Sequence, residues 1–177
     1  MKLVVLDRDG VINLDSVHFI KSTNEWIPIS GSLEAIALLN QSGYRVAIAT
    51  NQSGISRGLF DMVMLNAIHD KMHRALGQLG GRIDAMFYCP HSAEDNCACR
   101  KPKPGMMEEI GKRFGVDLTG VPIVGYSLRD LQAGAVLGMQ PILVRTGKGE
   151  ETIAAGGLPE GTLIFANLAE AVQHIIS

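Results

Sequence analysis

The chain has 177 residues, of which 46% are hydrophobic and 19% are charged, and its formal net charge is -2. A chain of this size fits one compact domain, which buries roughly 68 to 70% of its unfolded surface. We therefore expect a single domain over residues 1–177. The charge balance excludes a broad basic surface for nucleic acid or for an anionic membrane. We expect neither partner, and the small size favours a monomer.

The first ten residues and the three cysteines indicate the cellular compartment. The sequence begins MKLVVLDRDG, where an apolar run of four residues stops at charged residues. Such a run is too short for a signal-peptide core or a membrane span. All three cysteines fall between residues 89 and 99, which in a reducing compartment favours metal ligation over disulfides. We expect a cytoplasmic protein.

Predicted strands and helices alternate along the chain. Apolar runs predict strands at 2–6, 45–50, 85–88, 121–125, 141–145 and 163–165, and helical spacing predicts helices at 32–39, 61–79, 106–114, 130–137 and 168–176. Residues 147–159, with four glycines, form the most loop-like stretch. Alternation predicts an α/β fold with a doubly wound parallel sheet, whose ligands bind beyond the carboxyl ends of the strands.

Two carboxylates follow the first predicted strand directly. Asp7 and Asp9 are two residues apart, and Gly10 lets the chain turn away. A hard cation such as Mg²⁺ prefers this kind of oxygen ligand and completes its shell with water and a substrate phosphate. Asp7 then acts as a nucleophile on phosphorus and Asp9 as a general acid and base. The same spacing also occurs where acids cap a turn.

Polar side chains follow the second predicted strand, in the segment Thr50-Asn51-Gln52-Ser53-Gly54. Hydroxyls, amides and main-chain donors at a strand end can cradle phosphate oxygens, although a simple polar turn has the same composition. Farther along, Arg100 and Lys101 stand next to two prolines. A guanidinium beside an ammonium neutralises the charge of a phosphoryl group, and the prolines favour a fixed presentation of both.

The cysteines form a candidate zinc site with one histidine. The pattern Cys89-x-His91-x₅-Cys97-x-Cys99 offers three thiolates and one imidazole, a complete tetrahedral set. A closed set is typical of structural zinc, so we expect a zinc loop at 89–99 that positions the following Arg100 and Lys101. Unrelated buried cysteines beside a surface histidine are the alternative.

These motifs resemble those of the haloacid dehalogenase superfamily. Asp7-x-Asp9-Gly10, Thr50-Asn51-Gln52 and Lys101 in Arg-Lys-Pro occur in the order of its first three motifs. The resemblance implies a haloacid dehalogenase-type fold with a minimal cap and a Mg²⁺-dependent phosphatase activity. It implies that Asp7 is the nucleophile, Asp9 the acid/base and a main-chain metal ligand, Thr50 a phosphate donor and Lys101 the charge stabiliser.

Within that superfamily the chain is most similar to the D-glycero-D-manno-heptose 1,7-bisphosphate 7-phosphatases, through residues 7–13, 50–58 and 99–102. This likeness implies a sugar bisphosphate substrate, on the route to lipopolysaccharide or related glycans, and places Arg100 on the distal phosphate. Histidinol phosphatases share the zinc loop and rank second. The implied substrate-contacting residues are Asp15, Ser16, Val17, His18, Thr50, Asn51, Gln52, Ser53, Arg100 and Lys101.

The fourth motif of the superfamily departs from its usual pattern here. A Gly-Asp-x-x-x-Asp is expected, whose first aspartate binds Mg²⁺, but this chain has Gly125-Tyr126 followed by Asp130. A neutral phenol is a poor and bulky replacement for a carboxylate ligand. Three explanations remain open: Asp130 compensates through a water molecule, Tyr126 is an engineered or mutational change of one codon base, or the protein is a binding-only relative.

Other histidines and loops carry no predicted chemistry. His69, His73 and His174 lie on predicted helices and are expected to be surface or packing residues. Trp26 is expected to pack a loop, and Glu150 and Glu151 to form a solvated turn.

Overall fold

The computed structural model describes all residues from 1 to 177. Its centre is a six-stranded sheet in the order β3-β2-β1-β4-β5-β6, in which every neighbouring pair is parallel. The strands are β1 (Lys2–Leu6), β2 (Tyr44–Asn51), β3 (Ala85–Cys89), β4 (Pro122–Gly125), β5 (Gln140–Val144) and β6 (Leu163–Phe165). This arrangement confirms the predicted doubly wound α/β fold.

Six helices connect the strands. They are α1 (Ser32–Gln41), α2 (Met62–Gly77), α3 (Gly105–Phe114), α4 (Leu128–Ala135), α5 (Gly149–Ala155) and α6 (Leu168–Ile176). Helices α1, α2 and α6 contribute apolar residues to the core on one face of the sheet, and α3 and α4 to the core on the other. None of the helices combines the length and apolarity needed to cross a bilayer.

Alternating side chains of the central strand feed both cores. In β1, Val4 and Leu6 belong to the larger cluster, while Leu3 and Val5 belong to the smaller one. Successive side chains of a strand point to opposite faces, so a strand that is covered on both sides must be apolar throughout. This explains why β1 is a continuous apolar run that ends abruptly at Asp7.

The chain order places the carboxyl end of β1 at the point where the sheet reverses direction. From β1 the chain builds outward through β2 and β3, then returns to pair β4 with β1 and continues to β5 and β6. In open α/β sheets, ligands bind at such a switch point. Asp7 follows β1 and Tyr126 follows β4, so both lie at this crevice.

Three expectations from the sequence need correction. The stretch 147–159 contains a helix, α5, because its glycines lie mainly at the ends and two acidic residues stabilise its first turn. Helix α4 begins at Leu128, two residues before the predicted start, because Ser127 caps it and Asp130 closes the capping box. Glu150 and Glu151 are exposed, as expected, but they lie in the first turn of α5 and not in an irregular turn, and Glu150 pairs with Arg145 at 2.9 Å.

Trp26 was expected to pack a loop, and it lies in the hydrophobic core. It is 1% exposed and belongs to the larger core cluster, and the ammonium of Lys71 lies 5.8 Å from its ring centroid. The long β1–α1 connection is therefore anchored on the core.

Candidate functional site

A buried lysine joins two carboxylates at the switch point. Lys101 Nζ lies 3.0 Å from Asp7 Oδ1 and 2.6 Å from Asp130 Oδ1. It also donates to the main-chain oxygen of Ala49 at 2.7 Å. All three charged residues are buried, so each charge is supported mainly by the others. Asp7 Oδ2 accepts no hydrogen bond from the protein, which leaves this oxygen available for other chemistry.

The three buried charges shift each other's pKa values. Burial and the neighbouring carboxylate of Asp130 raise the pKa of Asp7 to about 7. Burial works in the same direction on Asp130, but the charge and hydrogen bond of Lys101 outweigh it and lower the pKa of Asp130. Although burial opposes the charged ammonium, the carboxylates of Asp130 and Asp7 raise the pKa of Lys101. Lys101 therefore remains a cation throughout the neutral range.

Asp9 lies beside these three charged residues, and several hydrogen-bond donors hold its carboxylate in place. Arg8 donates to Asp9 Oδ1 from Nε at 2.9 Å and from Nη2 at 2.8 Å, and Asn13 donates at 3.0 Å. Oδ2 is 3.4 Å from Gln52 Nε2. The main-chain oxygen of Asp9 accepts no hydrogen bond within the chain. It remains free to bind a ligand such as a cation.

The segment after β2 supports Lys101 from the side. The amide of Asn51 donates to the main-chain oxygen of Lys101 at 3.2 Å and accepts from its N–H at 3.1 Å. Gln52 Nε2 donates to Thr50 Oγ1 at 2.9 Å. Thr50 and Gln52 are buried, so two predicted phosphate contacts lie beneath the surface of the site.

The carboxylates open into a cleft with a cavity volume of about 260 Å³. Most of the predicted catalytic and substrate-contacting residues line it, and His18, Thr50 and Gln52 do not. The lining residues predicted from the sequence are Asp7, Asp9, Asp15, Ser16, Val17, Asn51, Ser53, Arg100, Lys101 and Asp130, and Tyr126 of the altered fourth motif lines the cleft with them.

Three further cations line the cleft that the sequence did not single out: Arg57, Arg129 and Lys148. They are exposed; Arg57 and Lys148 lie on two loops, and Arg129 lies in the first turn of α4. Burial and the guanidinium of Arg129 lower the pKa of Arg100, which places these two cations close together. Arg57 belongs to segment 50–58, which resembles the heptose phosphatases, but the sequence assigned it no role. No motif in the sequence pointed to Arg129 or Lys148.

Tyr126 occupies the position where the superfamily has an aspartate. Its phenol donates a hydrogen bond to Asp15 Oδ2 at 2.9 Å. Its ring lies against Gly10 and Gly147, where any Cβ atom would collide with it. Burial and the carboxylate of Asp7 raise the pKa of Tyr126, so the phenol stays neutral and offers no anionic oxygen.

Asp130 is fully engaged within the protein. Its Oδ1 pairs with Lys101, and its Oδ2 accepts from the hydroxyl of Ser127 at 2.9 Å and from the Ser127 N–H at 3.2 Å. A water-mediated contact from Asp130 to a metal stays a prediction.

The cysteine and histidine cluster forms a compact donor set. The ligand atoms of Cys89, His91, Cys97 and Cys99 all lie within 4.8 Å of one another. Tetrahedral thiolates at about 2.3 Å from zinc lie about 3.8 Å apart, and Cys89 Sγ is 3.5 Å from Cys97 Sγ and 3.6 Å from His91 Nδ1. Cys89 Sγ and Cys99 Sγ are closer, at 2.8 Å, and would have to separate around a zinc ion, so the cluster is a possible zinc site.

The same loop contacts the cleft. Arg100 Nη1 donates to the main-chain oxygen of His91 at 3.4 Å, and Lys103 Nζ donates to that of Cys97 at 2.8 Å. Arg100 is thus attached to the loop that carries the metal donors.

Family models match most of the chain. Residues 2–121 match the model described as polynucleotide kinase 3 phosphatase, and residues 98–171 match the HAD-hydrolase-like model. A D-glycero-beta-D-manno-heptose-1,7-bisphosphate 7-phosphatase of Bordetella bronchiseptica is 60% identical over 99% of this chain and 98% of its own. The enzyme of the same description from Pseudomonas aeruginosa is 52% identical, covering 98% and 97% of the two chains.

Solved structures agree with these relatives. The crystal structure of D,D-heptose 1,7-bisphosphate phosphatase from B. bronchiseptica, complexed with magnesium and phosphate, superposes with a TM-score of 0.98 at 60% identity, covering 99% and 98% of the chains. That of Burkholderia thailandensis gives a TM-score of 0.81 at 55% identity, covering 100% and 99%. The chain belongs to the D-glycero-beta-D-manno-heptose-1,7-bisphosphate 7-phosphatase family of the haloacid dehalogenase superfamily.

Proposed function

We propose that this chain hydrolyses the 7-phosphate of D-glycero-β-D-manno-heptose 1,7-bisphosphate, a step toward lipopolysaccharide or related glycan precursors. The observation that carries the proposal is the placement of Asp7, Asp9 and Lys101 within one crevice. The family membership supports the substrate, since relatives at 60% and 52% identity are described by this activity.

Asp7 supplies the nucleophile. Oδ1 is held by Lys101 at 3.0 Å while Oδ2 has no protein partner, so Oδ2 can attack phosphorus and form an aspartyl phosphate as the bond from phosphorus to the sugar oxygen breaks. Lys101 keeps its charge because two carboxylates face it. It stabilises the negative charge on the transferring phosphoryl oxygens.

Asp9 moves the protons. It donates a proton to the departing sugar oxygen and then removes one from the water that hydrolyses the aspartyl phosphate, which returns Asp7 and releases inorganic phosphate. Oδ1 already accepts from Arg8 and Asn13, so Oδ2 is the oxygen that carries the proton.

The outer part of the cleft suits a second phosphate. Arg57, Arg100, Arg129 and Lys148 line it together with the apolar side chain of Val17. Guanidinium groups bind phosphate oxygens through paired hydrogen bonds. This set of cations favours a bisphosphate over a monophosphate whose far end is cationic, and therefore favours the heptose substrate over histidinol phosphate.

The residues fit Mg²⁺ with a reduced donor set. The Asp7 carboxylate and the free carbonyl of Asp9 are oxygen donors, and Mg²⁺ in proteins is commonly held by one or two carboxylates with water and substrate phosphate. Bound there, Mg²⁺ would screen the nucleophile from the phosphate. Tyr126 contributes no anionic oxygen, so we expect a weaker affinity than an aspartate at this position gives. Zinc would be held by Cys89, His91, Cys97 and Cys99 as a structural ion.

The test compares phosphate release from heptose 1,7-bisphosphate and from histidinol phosphate at saturating Mg²⁺. It uses this chain, Tyr126→Asp, and Asp7→Asn as the matched control that removes the nucleophile with little change in size. We expect the heptose to be preferred and Asp7→Asn to be inactive. Hydrolysis by Asp7→Asn would refute the covalent mechanism, and preference for histidinol phosphate would refute the proposed substrate.

A second candidate function is supported by Tyr126 alone. A protein that keeps the phosphate cradle without a competent metal site would bind the sugar bisphosphate and not turn it over. It predicts a ligand-induced rise in Tm for this chain with no phosphate release, and release only from Tyr126→Asp. Turnover by the unchanged chain rules it out.

A further inference from the structure

The side chain of Asp9 is held in one orientation by residues outside the cleft. Its Oδ1 accepts three hydrogen bonds, two from Arg8 and one from Asn13, whereas Oδ2 has only the 3.4 Å approach of Gln52. A carboxylate with one saturated oxygen has a defined oxygen left for proton transfer. The orientation of Asp9 therefore depends on the position of the Arg8 guanidinium.

Arg8 is itself held from the opposite side. It is fully buried, and its Nη1 lies 3.0 Å from Nε2 of His69 on α2. A guanidinium has donors and no acceptor, so Nε2 accepts the hydrogen bond and the ring proton resides on Nδ1. Burial and the charge of Arg8 lower the pKa of His69 to about 3, which keeps the ring neutral and Nε2 available as an acceptor.

The two contacts together fix the plane of the guanidinium. Nε and Nη2 face Asp9, and Nη1 faces His69. Because a buried N–H without an acceptor is costly, the guanidinium would turn to pair Nη1 with another acceptor if His69 were lost. Such a turn would release Oδ1 of Asp9.

We infer that His69 is a positioning residue for the proton-transfer step, acting through Arg8 on the carboxylate of Asp9. The inference rests on the proposed function, in which Asp9 is the general acid and base. His69 touches neither the cleft nor the substrate, since it is buried on α2 and is not among the cleft residues. A purely structural histidine would only pack α2 against the β1 loop.

The first experiment separates these roles by the leaving group. His69→Phe keeps the ring volume and loses the acceptor, and His69→Gln keeps an acceptor. His73→Phe, exposed and one turn farther along α2, is the matched control. kcat/KM is measured on the sugar bisphosphate, whose alkoxide leaving group needs a proton, and on p-nitrophenyl phosphate, whose leaving group does not.

We expect His69→Phe to lower kcat/KM on the sugar substrate on the order of a hundredfold, the size of effect that a small misplacement produces. On p-nitrophenyl phosphate the loss is expected to be several times smaller. His69→Gln should recover most of the activity, and His73→Phe should change neither value. Equal losses on both substrates, or no recovery by glutamine, would overturn the inference. Should His69→Phe not fold, His69→Met is the variant that lacks an acceptor.

The second experiment needs no turnover. ¹⁵N NMR of the histidine rings in the unchanged chain is expected to show His69 neutral, with a proton on Nδ1 and none on Nε2, from pH 5 upward. In His69→Gln the Arg8 guanidinium signals should stay resolved, and in His69→Phe they should average by rotation. A proton on Nε2 of His69 would overturn the inference even in an inactive protein. Absence of hydrolysis from the unchanged chain and from Tyr126→Asp, with the expected NMR signals, would instead refute the proposed function alone.

Discussion

The phenol of Tyr126 donates a hydrogen bond to Asp15 Oδ2 at 2.9 Å and joins the end of β4 to the loop that follows β1. The contact links the altered fourth motif to a predicted substrate-contacting residue. Since burial and Asp7 raise the pKa of this phenol, the proton stays on the oxygen, and Tyr126 acts as a donor to the protein and not as a metal ligand.

Replacement of Tyr126 should therefore change metal affinity. We expect Tyr126→Asp to bind Mg²⁺ at least about tenfold more tightly than the unchanged chain. Mutation of residues that only orient the metal ligands already costs about 10- to 100-fold in metal affinity or activity, and a direct ligand should matter at least as much. Tyr126→Phe removes the hydrogen bond to Asp15 and adds no ligand, so it is the control and should show no gain. Titration calorimetry with Mg²⁺ alone measures this. Equal affinities of the aspartate and phenylalanine variants would contradict it.

Removal of the buried cation should destabilise the fold as well as stop the reaction. Lys101→Met leaves Asp7 and Asp130 buried without their partner. Breaking a buried charge pair by removing one member typically costs about 3 to 5 kcal/mol, and we expect a loss of that order in the free energy of unfolding at pH 7. Urea denaturation measures it. Lys112→Met, at an exposed ion pair, is the control and should lie within about 1 kcal/mol of the unchanged chain.

Loss of the predicted zinc ion should loosen the loop that carries Arg100. Cys97→Ser weakens the donor set without reaching the cleft. We expect this variant to lose zinc, to unfold at a lower temperature, and to show a higher KM for the bisphosphate because Arg100 is attached to His91. Metal analysis, thermal denaturation and kinetics check the three effects. Glu94→Gln, exposed in the same loop, should change none of them, and a zinc-free parent chain would disprove the site.

Acid should reduce stability through His69. Its pKa falls from 6.5 to about 3 in the folded protein, by burial and then by the charges of Arg8 and His73, against the opposing charge of Asp9. Between these values the unfolded chain binds the proton and the folded chain does not, so stability decreases as the pH falls from about 6.5 toward 3. The slope from one such group is at most about 1.4 kcal/mol per pH unit.

His69→Gln removes this titration, and we expect a shallower loss of stability across the same pH window. Urea denaturation from pH 7 down to pH 4 measures the difference. His73→Gln is the matched control on the same helix. Identical slopes for His69→Gln and the unchanged chain would show that His69 takes up a proton in the folded state.

The sequence by itself determined the order of strands and helices, the two carboxylates after β1 and the cysteine and histidine cluster that could hold a metal ion. Each of these is a local pattern: a buried parallel strand must be apolar along its length, and a tetrahedral metal site needs a complete set of nearby donors. The replacement of the fourth-motif aspartate by Tyr126 was also visible in the sequence, because a single position of that short motif reveals it. Helix α5 was missed, because the glycines of residues 147–159 indicate a loop and obscure the short helix that lies among them.

Only the tertiary structure decided which distant residues meet. Lys101 is 94 residues from Asp7 along the chain, and His69 is 61 residues from Arg8. A lone histidine on an amphipathic helix gives no local signal of its partner, and the sequence therefore predicted only surface or packing for His69. The parallel order of the sheet brings α2 beside the β1 loop. The contact between His69 and Arg8 forms across this packing, so the sequence spacing could not reveal that His69 is connected to Asp9 through Arg8.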